Sequence, residues 1–334
     1  MTRPILLTTF IVMLAVVRPA PAGQVARPVI LDTDICDDID DTWALALLLQ
    51  SPELSPRLIT TAVGNTEAKA RVVAKFLHRV GCTDIPVGIG VKQHDGSHRQ
   101  IAWAADYDLS SYPGTIHRDG VQAIIDTVMN SPQRITIIAI GPLPNIAAAL
   151  EREPRIAQKA DFVGMHGSIF KGYGGKTTPD PEYNVRADVA ACRQVFEAAW
   201  PMTITPLDTC GLVSLHGDKY QKLLNRNSAT TSSLLQNYFI WQRDGLRSEN
   251  PDLDEADLYR RVNNQLSAAS TTLFDTVAVY LAISTDLARM QQHPIRITDD
   301  GYTRIAQGAK PINCAVEWVD RDAFESFLVE RLTR

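Results

Sequence analysis

Six of the ten residues at positions 32–41 are aspartates, in the stretch DTDICDDIDD, and neither Lys nor Arg interrupts them. An apolar run, residues 28–31, leads directly into this acidic knot, and a helix-like run, residues 43–49, leads directly out of it. Two carboxylates 4 Å apart repel by about 1 kcal/mol in water and by several times that where solvent is thin. A chain that gathers them at the end of a buried strand needs a counter-charge there. Oxygen-rich ligand sets poor in nitrogen and sulfur select hard divalent cations, Ca²⁺ or Mg²⁺. The knot therefore predicts a metal site at a strand-to-helix junction.

The rest of the chain repeats that junction. Residues 28–33, 58–63, 85–89, 135–140, 161–165 and 202–206 read as strands. Helical periodicity fills residues 40–50, 67–80 and 187–200, begins again near Asn145, and dominates residues 218–265 and 275–283. Residues 247–255 read as a loop or mobile lid, and residues 295–318 return to strand. Alternation with short connections predicts one α/β domain over residues 23–334: an open, mostly parallel sheet with helices on both faces and a helical C-terminal portion. In such sheets ligands bind beyond the carboxyl ends of the strands. The acidic knot, Gly64-Asn65 and residues 141–145 all fall there, so separate segments should converge on one crevice.

The ends and the composition narrow the setting. Arg3, the apolar run ILLTTFIVMLAVV and the small-x-small triplet Ala20-Pro21-Ala22 predict a signal peptide over residues 1–22 and an exported protein without a stable membrane anchor after processing. A net charge of -5, with no Lys/Arg-rich run, argues against a nucleic-acid partner. The five cysteines are widely spaced, without a CxxC or Cys/His cluster for zinc. Two other motifs compete for the knot. An EF-hand loop fails, because no Gly falls at the sixth position and no Glu at the twelfth. The start of a haloacid-dehalogenase phosphatase motif, with Asp32 as nucleophile and Mg²⁺ as metal, fits Asp32-Thr33-Asp34 but not the residues after it.

The segment VILDTDICDDIDDTWALALLL resembles the signature of the inosine–uridine-preferring nucleoside hydrolase family, a strand followed by DxDxG…DD and an A-x-A-L helix. Four further segments resemble that family in order: ITTAVGN, IIAIGPLPNIAAAL, GKTTPDPEYNVRADVAACRQVF and FDTVAVYLAI. The resemblance implies a nucleoside hydrolase-like domain with a Rossmann-like core. It implies hydrolysis of the N-glycosidic bond of ribonucleosides, a homodimer or homotetramer, and a role in nucleoside salvage. It further implies one Ca²⁺ held by Asp34, Asp41, the Ile140 carbonyl and Asp275. Asp34 would take the proton from water, Asp40 would join it as a catalytic residue, and Asp40, Asn65, Glu182 and Asn184 would hold the ribose.

Four departures stand out. Five residues separate Asp34 from Asp40, which is longer than the commonest form of the family and leaves Asp37 and Asp38 as an extra ligand or a solvated loop. Cys36 replaces a turn glycine. Lys176 stands where many members have an Asn on the sugar's 5′ side, and could meet substrate or pair with Asp180 or Glu182. Phe274 replaces a His that protonates the departing base, which motivates a non-hydrolytic, ribosyl-binding alternative. His117 and His166 are candidate replacements for that acid. Trp103, Tyr107, Tyr238 and Trp241 are candidates for stacking on a base or for core packing.

Overall fold

The computed structural model describes residues 25–93 and 98–334. The expected leader, residues 1–22, lies outside the described residues.

Among the described residues, ten strands form one sheet: β1 (Arg27–Thr33), β2 (Leu54–Thr61), β3 (Val87–Ile89), β4 (Ile116–His117), β5 (Ile135–Ala139), β6 (Ala160–Met165), β7 (Met202–Thr205), β8 (Ala288–Ile297), β9 (Thr303–Ile305) and β10 (Pro311–Trp318). Their order is β4-β3-β2-β1-β5-β6-β7-β10-β8-β9. The strands from β4 through β7 to β10 run parallel, and β8 and β9 are antiparallel at one edge. The apolar run in β1 serves two cores. Val29 and Leu31 point into one apolar cluster and Ile30 into the other, on opposite faces of the sheet. That is why β1 reads as continuous hydrophobics rather than as an alternation.

Among the described residues there are twelve α-helices: α1 (Asp40–Leu49), α2 (Thr66–Val80), α3 (Gly120–Asn130), α4 (Pro144–Arg152), α5 (Ile156–Lys159), α6 (Tyr183–Ala187), α7 (Val189–Glu197), α8 (Gly217–Leu224), α9 (Ala229–Glu249), α10 (Glu255–Ala268), α11 (Phe274–Ile283) and α12 (Arg321–Leu332). Residues of α1, α2, α11 and α12 share one core, and residues of α3, α4 and α7 share the other. Among the described residues no helix is long and apolar enough to cross a membrane.

Several boundaries differ from the sequence expectation. β2 starts at Leu54, because the pairing with β1 shifts register between Val29 and Ile30 and so accommodates Pro56 inside the strand. The helix expected over residues 187–200 is broken at Asp188. That side chain accepts from the Ala191 N–H, ending α6 and capping α7. β8 starts at Ala288, seven positions before the expected strand, with polar residues on its exposed face. The loop expected over residues 247–255 shrinks to 250–254, since α9 persists to Glu249. There Arg247 donates to the Pro251 and Leu253 carbonyls.

Chain order reverses between β1 and β5. From β1 the sheet grows outward to β2, β3 and β4; from β5 it grows the other way. A crevice opens at such a switch point, beyond the carboxyl ends of the two central strands. Asp34 follows β1 there, and Ile140-Gly141 follows β5.

Candidate active site

The knot folds as a turn leading into a helix. Asp37 N–H donates to the Asp34 carbonyl at 3.2 Å. Cys36, third in that turn, has φ of 84°, a left-handed conformation that costs an L side chain roughly 1–2 kcal/mol. The backbone thus keeps the course a glycine favours, with a buried thiol carried along. α1 begins at Asp40, so Asp40 and Asp41 sit in its first turn, where the helix dipole favours negative charge. α11 packs beside α1 and carries Asp275 in its own first turn.

This arrangement joins residues 235 positions apart: the Asp275 N–H donates to Asp40 Oδ2 at 3.2 Å. Asp40, Asp41 and Asp275 each bring a carboxylate oxygen within 4.8 Å of the others, and all three are buried. Thr33 Oγ1 donates to Asp41 Oδ1. Burial raises all three carboxyls well above the usual carboxylate range, and each is raised further by its acidic neighbours.

These residues line a cavity of about 270 Å³, together with Asp34, Asp37, Asp38, Ile140, Met165, Tyr173, Glu182, Tyr183, Asn184 and Phe274. Burial pushes the Asp34 carboxyl up to about 8, against the opposing pull of Lys69. Asp34 occupies the space above Gly141; a Cβ there would lie 2.5 Å from Asp34 Oδ1. Glu182 caps α6, accepting from the Asn184 N–H at 2.7 Å and from the Val185 N–H at 3.2 Å. It also accepts from the Gly167 N–H at 3.0 Å, and burial still pushes its carboxyl up to about 7. Asn184 Nδ2 donates to the carbonyls of Ile140 at 3.1 Å and Met165 at 3.0 Å. Glu182 and Asn184 are therefore held in place by the same loops that bring Ile140 to the cavity.

The donor set suits a hard divalent cation. Three buried carboxylates that repel one another converge within reach of one ion, Asp34 and Ile140 line the same cavity, and the side-chain donors are all oxygen. The compact trio differs from the expected ligand set. Asp40, expected at the ribose and among the catalytic residues, joins Asp41 and Asp275, because adjacent residues of the α1 first turn meet the first turn of α11. Asp34, expected among the ligands, stands outside the trio, at the Gly141 side of the cavity.

Two other expected residues are not brought to the cavity. Asn65 is exposed, accepts from the Ala68 N–H as the cap of α2, and lines a separate groove. Lys176 pairs with Asp180 at 2.6 Å. Asp180 in turn accepts from the Tyr173 N–H at 2.9 Å, so Lys176 braces the Tyr173 loop from outside the cavity. Asp32 also lies outside the lining. It is buried, held by Thr60 at 2.5 Å and Asn145 at 2.7 Å, which removes it as a phosphohydrolase nucleophile. His166 is buried behind the cavity, with Nε2 against the Gly141 carbonyl at 3.1 Å, and His117 sits on β4. Trp103, Tyr107, Tyr238 and Trp241 do not line the cavity either. The aromatic wall is Tyr173, Tyr183 and Phe274.

Lys69 escaped the sequence reading altogether. Its Nζ is fully buried, 3.0 Å from Asp37 Oδ1, and donates to the carbonyls of Asp34 at 2.8 Å and Ala62 at 3.2 Å. Part of the counter-charge that the knot requires is thus a lysine from α2. The signal was available: Lys69 lies three, four and seven residues before Val72, Val73 and Phe76, on the apolar stripe of its helix.

Residues 29–326 match the model of the family described as inosine-uridine preferring nucleoside hydrolase. The non-specific ribonucleoside hydrolase RihC of Salmonella agona is 33% identical over 223 residues, which are 63% of this chain and 71% of that protein. Among solved structures, the plant nucleoside hydrolase PpNRh1 superposes with a TM-score of 0.74 at 24% identity, covering 92% of this chain and 99% of the other. A purine-preferring ribonucleoside hydrolase from Gardnerella vaginalis gives 0.72 at 21% identity, covering 92% and 98%. At these identities the superpositions speak for the fold, and the matching segment speaks for descent. The chain belongs to the inosine-uridine preferring nucleoside hydrolase family.

Proposed function

We propose that this protein is an exported, metal-dependent N-ribosyl hydrolase that splits ribonucleosides into ribose and free base. One observation carries the reading. In a nucleoside hydrolase fold, a single cavity gathers Asp34, Asp40, Asp41, Glu182, Asn184 and Asp275 from three segments distant in sequence. The trio Asp40, Asp41 and Asp275, with the Ile140 carbonyl, is assigned to one Ca²⁺, with Mg²⁺ as the alternative. When bound, such an ion supplies Lewis acidity and concentrated positive charge.

The protein's own groups divide the remaining work. Glu182 accepts from ribose hydroxyls, and Asn184 both donates and accepts, which suits a vicinal diol. Asp40 borders the same diol. Asp34, fixed above Gly141, takes the proton of the attacking water. As the glycosidic bond lengthens, positive charge grows at C1′, and the surrounding carboxylates stabilise it. Tyr173, Tyr183 and Phe274 flank the departing base.

Reducing-sugar release from inosine and uridine, with and without EDTA, tests the proposal. Release should require metal, and Asp34→Asn should lower kcat about a thousandfold. Ribose release from no N-riboside offered, or an Asp34→Asn variant as active as the parent, overturns it. Export rests on the leader-like residues 1–22, and a secreted chain beginning at Gly23 is the expected product. A homodimer or homotetramer belongs to the same proposal and is read by light scattering.

A further inference from the structure

The cavity has two opposed characters. Seven carboxylates line its floor and sides, and no Lys, Arg or His is among the described residues that line it. Lys69 stands behind Asp37, a bound divalent ion would offset two charges, and the lining residues supply no further cation. Over this floor stand three aromatic rings. Tyr173 meets Phe274 edge-on, with centroids 6.1 Å apart at 80°. The Tyr173 hydroxyl accepts from the Tyr183 N–H at 2.9 Å, which ties the three into one wall. Tyr173 is 40% exposed and Tyr183 37%, and both line the cavity. Ring faces above a negative field attract cations, most strongly where water is displaced.

We propose that the preferred substrates are N-ribosides whose base carries a positive charge, held between the Tyr173, Tyr183 and Phe274 rings and the acidic floor. This rests on the N-ribosyl hydrolase reading and names its substrate class. The chemistry of the leaving group agrees. Water oxygen bonds to C1′, and the C1′–N bond breaks with its electron pair passing to the ring nitrogen. That pair cancels the positive charge, so the base departs neutral. The proton from water passes to Asp34 and then to solvent. No acid is needed at the leaving group, and a neutral nucleoside is the substrate that needs one. The phenols make poor proton donors, because burial pushes the Tyr183 hydroxyl up to about 12.

Two measurements on the metal-loaded protein test this. The first compares kcat/KM for nicotinamide riboside, a pyridinium cation, with that for inosine. The cation should be favoured by at least about tenfold, and each turnover should release one proton to an unbuffered solution, where inosine hydrolysis releases none. The second measures, on Asp34→Asn, the Kd of nicotinamide riboside and of its neutral dihydro form, which share ribose and ring size. The cation should bind at least about fivefold more tightly, and Phe274→Leu should narrow that gap. Equal Kd values for the two forms overturn the proposal whatever the rates. Inosine cleaved as efficiently as the cation overturns it while leaving the N-ribosyl hydrolase reading standing. Hydrolysis of neither removes both.

Discussion

At the scale of single residues, the decisive feature is how the acidic knot is made tolerable. Lys69 is the internal part of the answer, and a buried charge pair is costly to break rather than cheap to own. Removing the lysine takes a cation from beside Asp37 and one donor each from the Asp34 and Ala62 carbonyls. Lys69→Met should therefore lower the unfolding free energy of metal-free protein by about 3–5 kcal/mol, read by urea denaturation. Adding Asp37→Asn should restore part of that loss. A single variant as stable as the parent would show that the pair carries no such weight. The residue scale is also where sequence reading was weakest. Acidic, amide and aromatic residues announce themselves as types, but whether a side chain turns into the cavity depends on its neighbours. Asn65 is consumed by capping α2, and Lys176 by Asp180, because local partners lie closer than any substrate.

At the scale of elements, the site is the meeting of two helix starts and two strand ends. The strand-to-helix junctions after β1 and β5, and the helix α11 bearing Asp275, were legible from periodicity and composition, because buried parallel strands are unbroken apolar runs. The breaks were not legible. Asp188 interrupts a stretch that is helical on both sides, and Pro56 hides the first half of β2. Nor could periodicity show that the turn after β5 approaches Asp34 closely. That approach gives a sharp expectation for Gly141→Ala. Its new Cβ would meet Asp34 Oδ1 at 2.5 Å and Asp34 Cβ at 2.9 Å, so the carboxylate must move. A displacement of about 1 Å should cost on the order of 100-fold in kcat, with α-helical circular dichroism unchanged. Full activity in that variant would mean that Asp34 does not need its present position.

At the scale of the whole molecule, the doubly covered sheet does more than hold the site; it sets how stability responds to acid. His166, at the end of β6 and packed among Phe162 and Phe196, is buried, which pushes its imidazole down to about 3. Unfolded chains protonate His near pH 6.5, whereas the folded chain does not until far lower. Between those values the unfolded state binds the extra proton, so the contribution of His166 to stability is full above about pH 6.5 and declines as pH falls. The slope is about 1.4 kcal/mol per pH unit. His166→Phe, which suits its aromatic neighbours, should reduce the difference in unfolding free energy between pH 7.5 and pH 5.5 by about 1.4 kcal/mol. An unaltered difference would place the acid sensitivity elsewhere.

The two-core architecture also explains why the acids can be assembled at all. Buried helices α1 and α11, apolar on almost every side, hold Asp40, Asp41 and Asp275 against one another where loops would let them part. The central claim is that this enforced meeting is a cation site. Calorimetric titration of chelator-treated protein with CaCl₂ tests it most directly, repeated on Asp275→Asn. One ion per chain, with proton release and an affinity at least about tenfold weaker in the variant, is the predicted result. No heat of binding in the parent, or equal affinity in the two proteins, would contradict it.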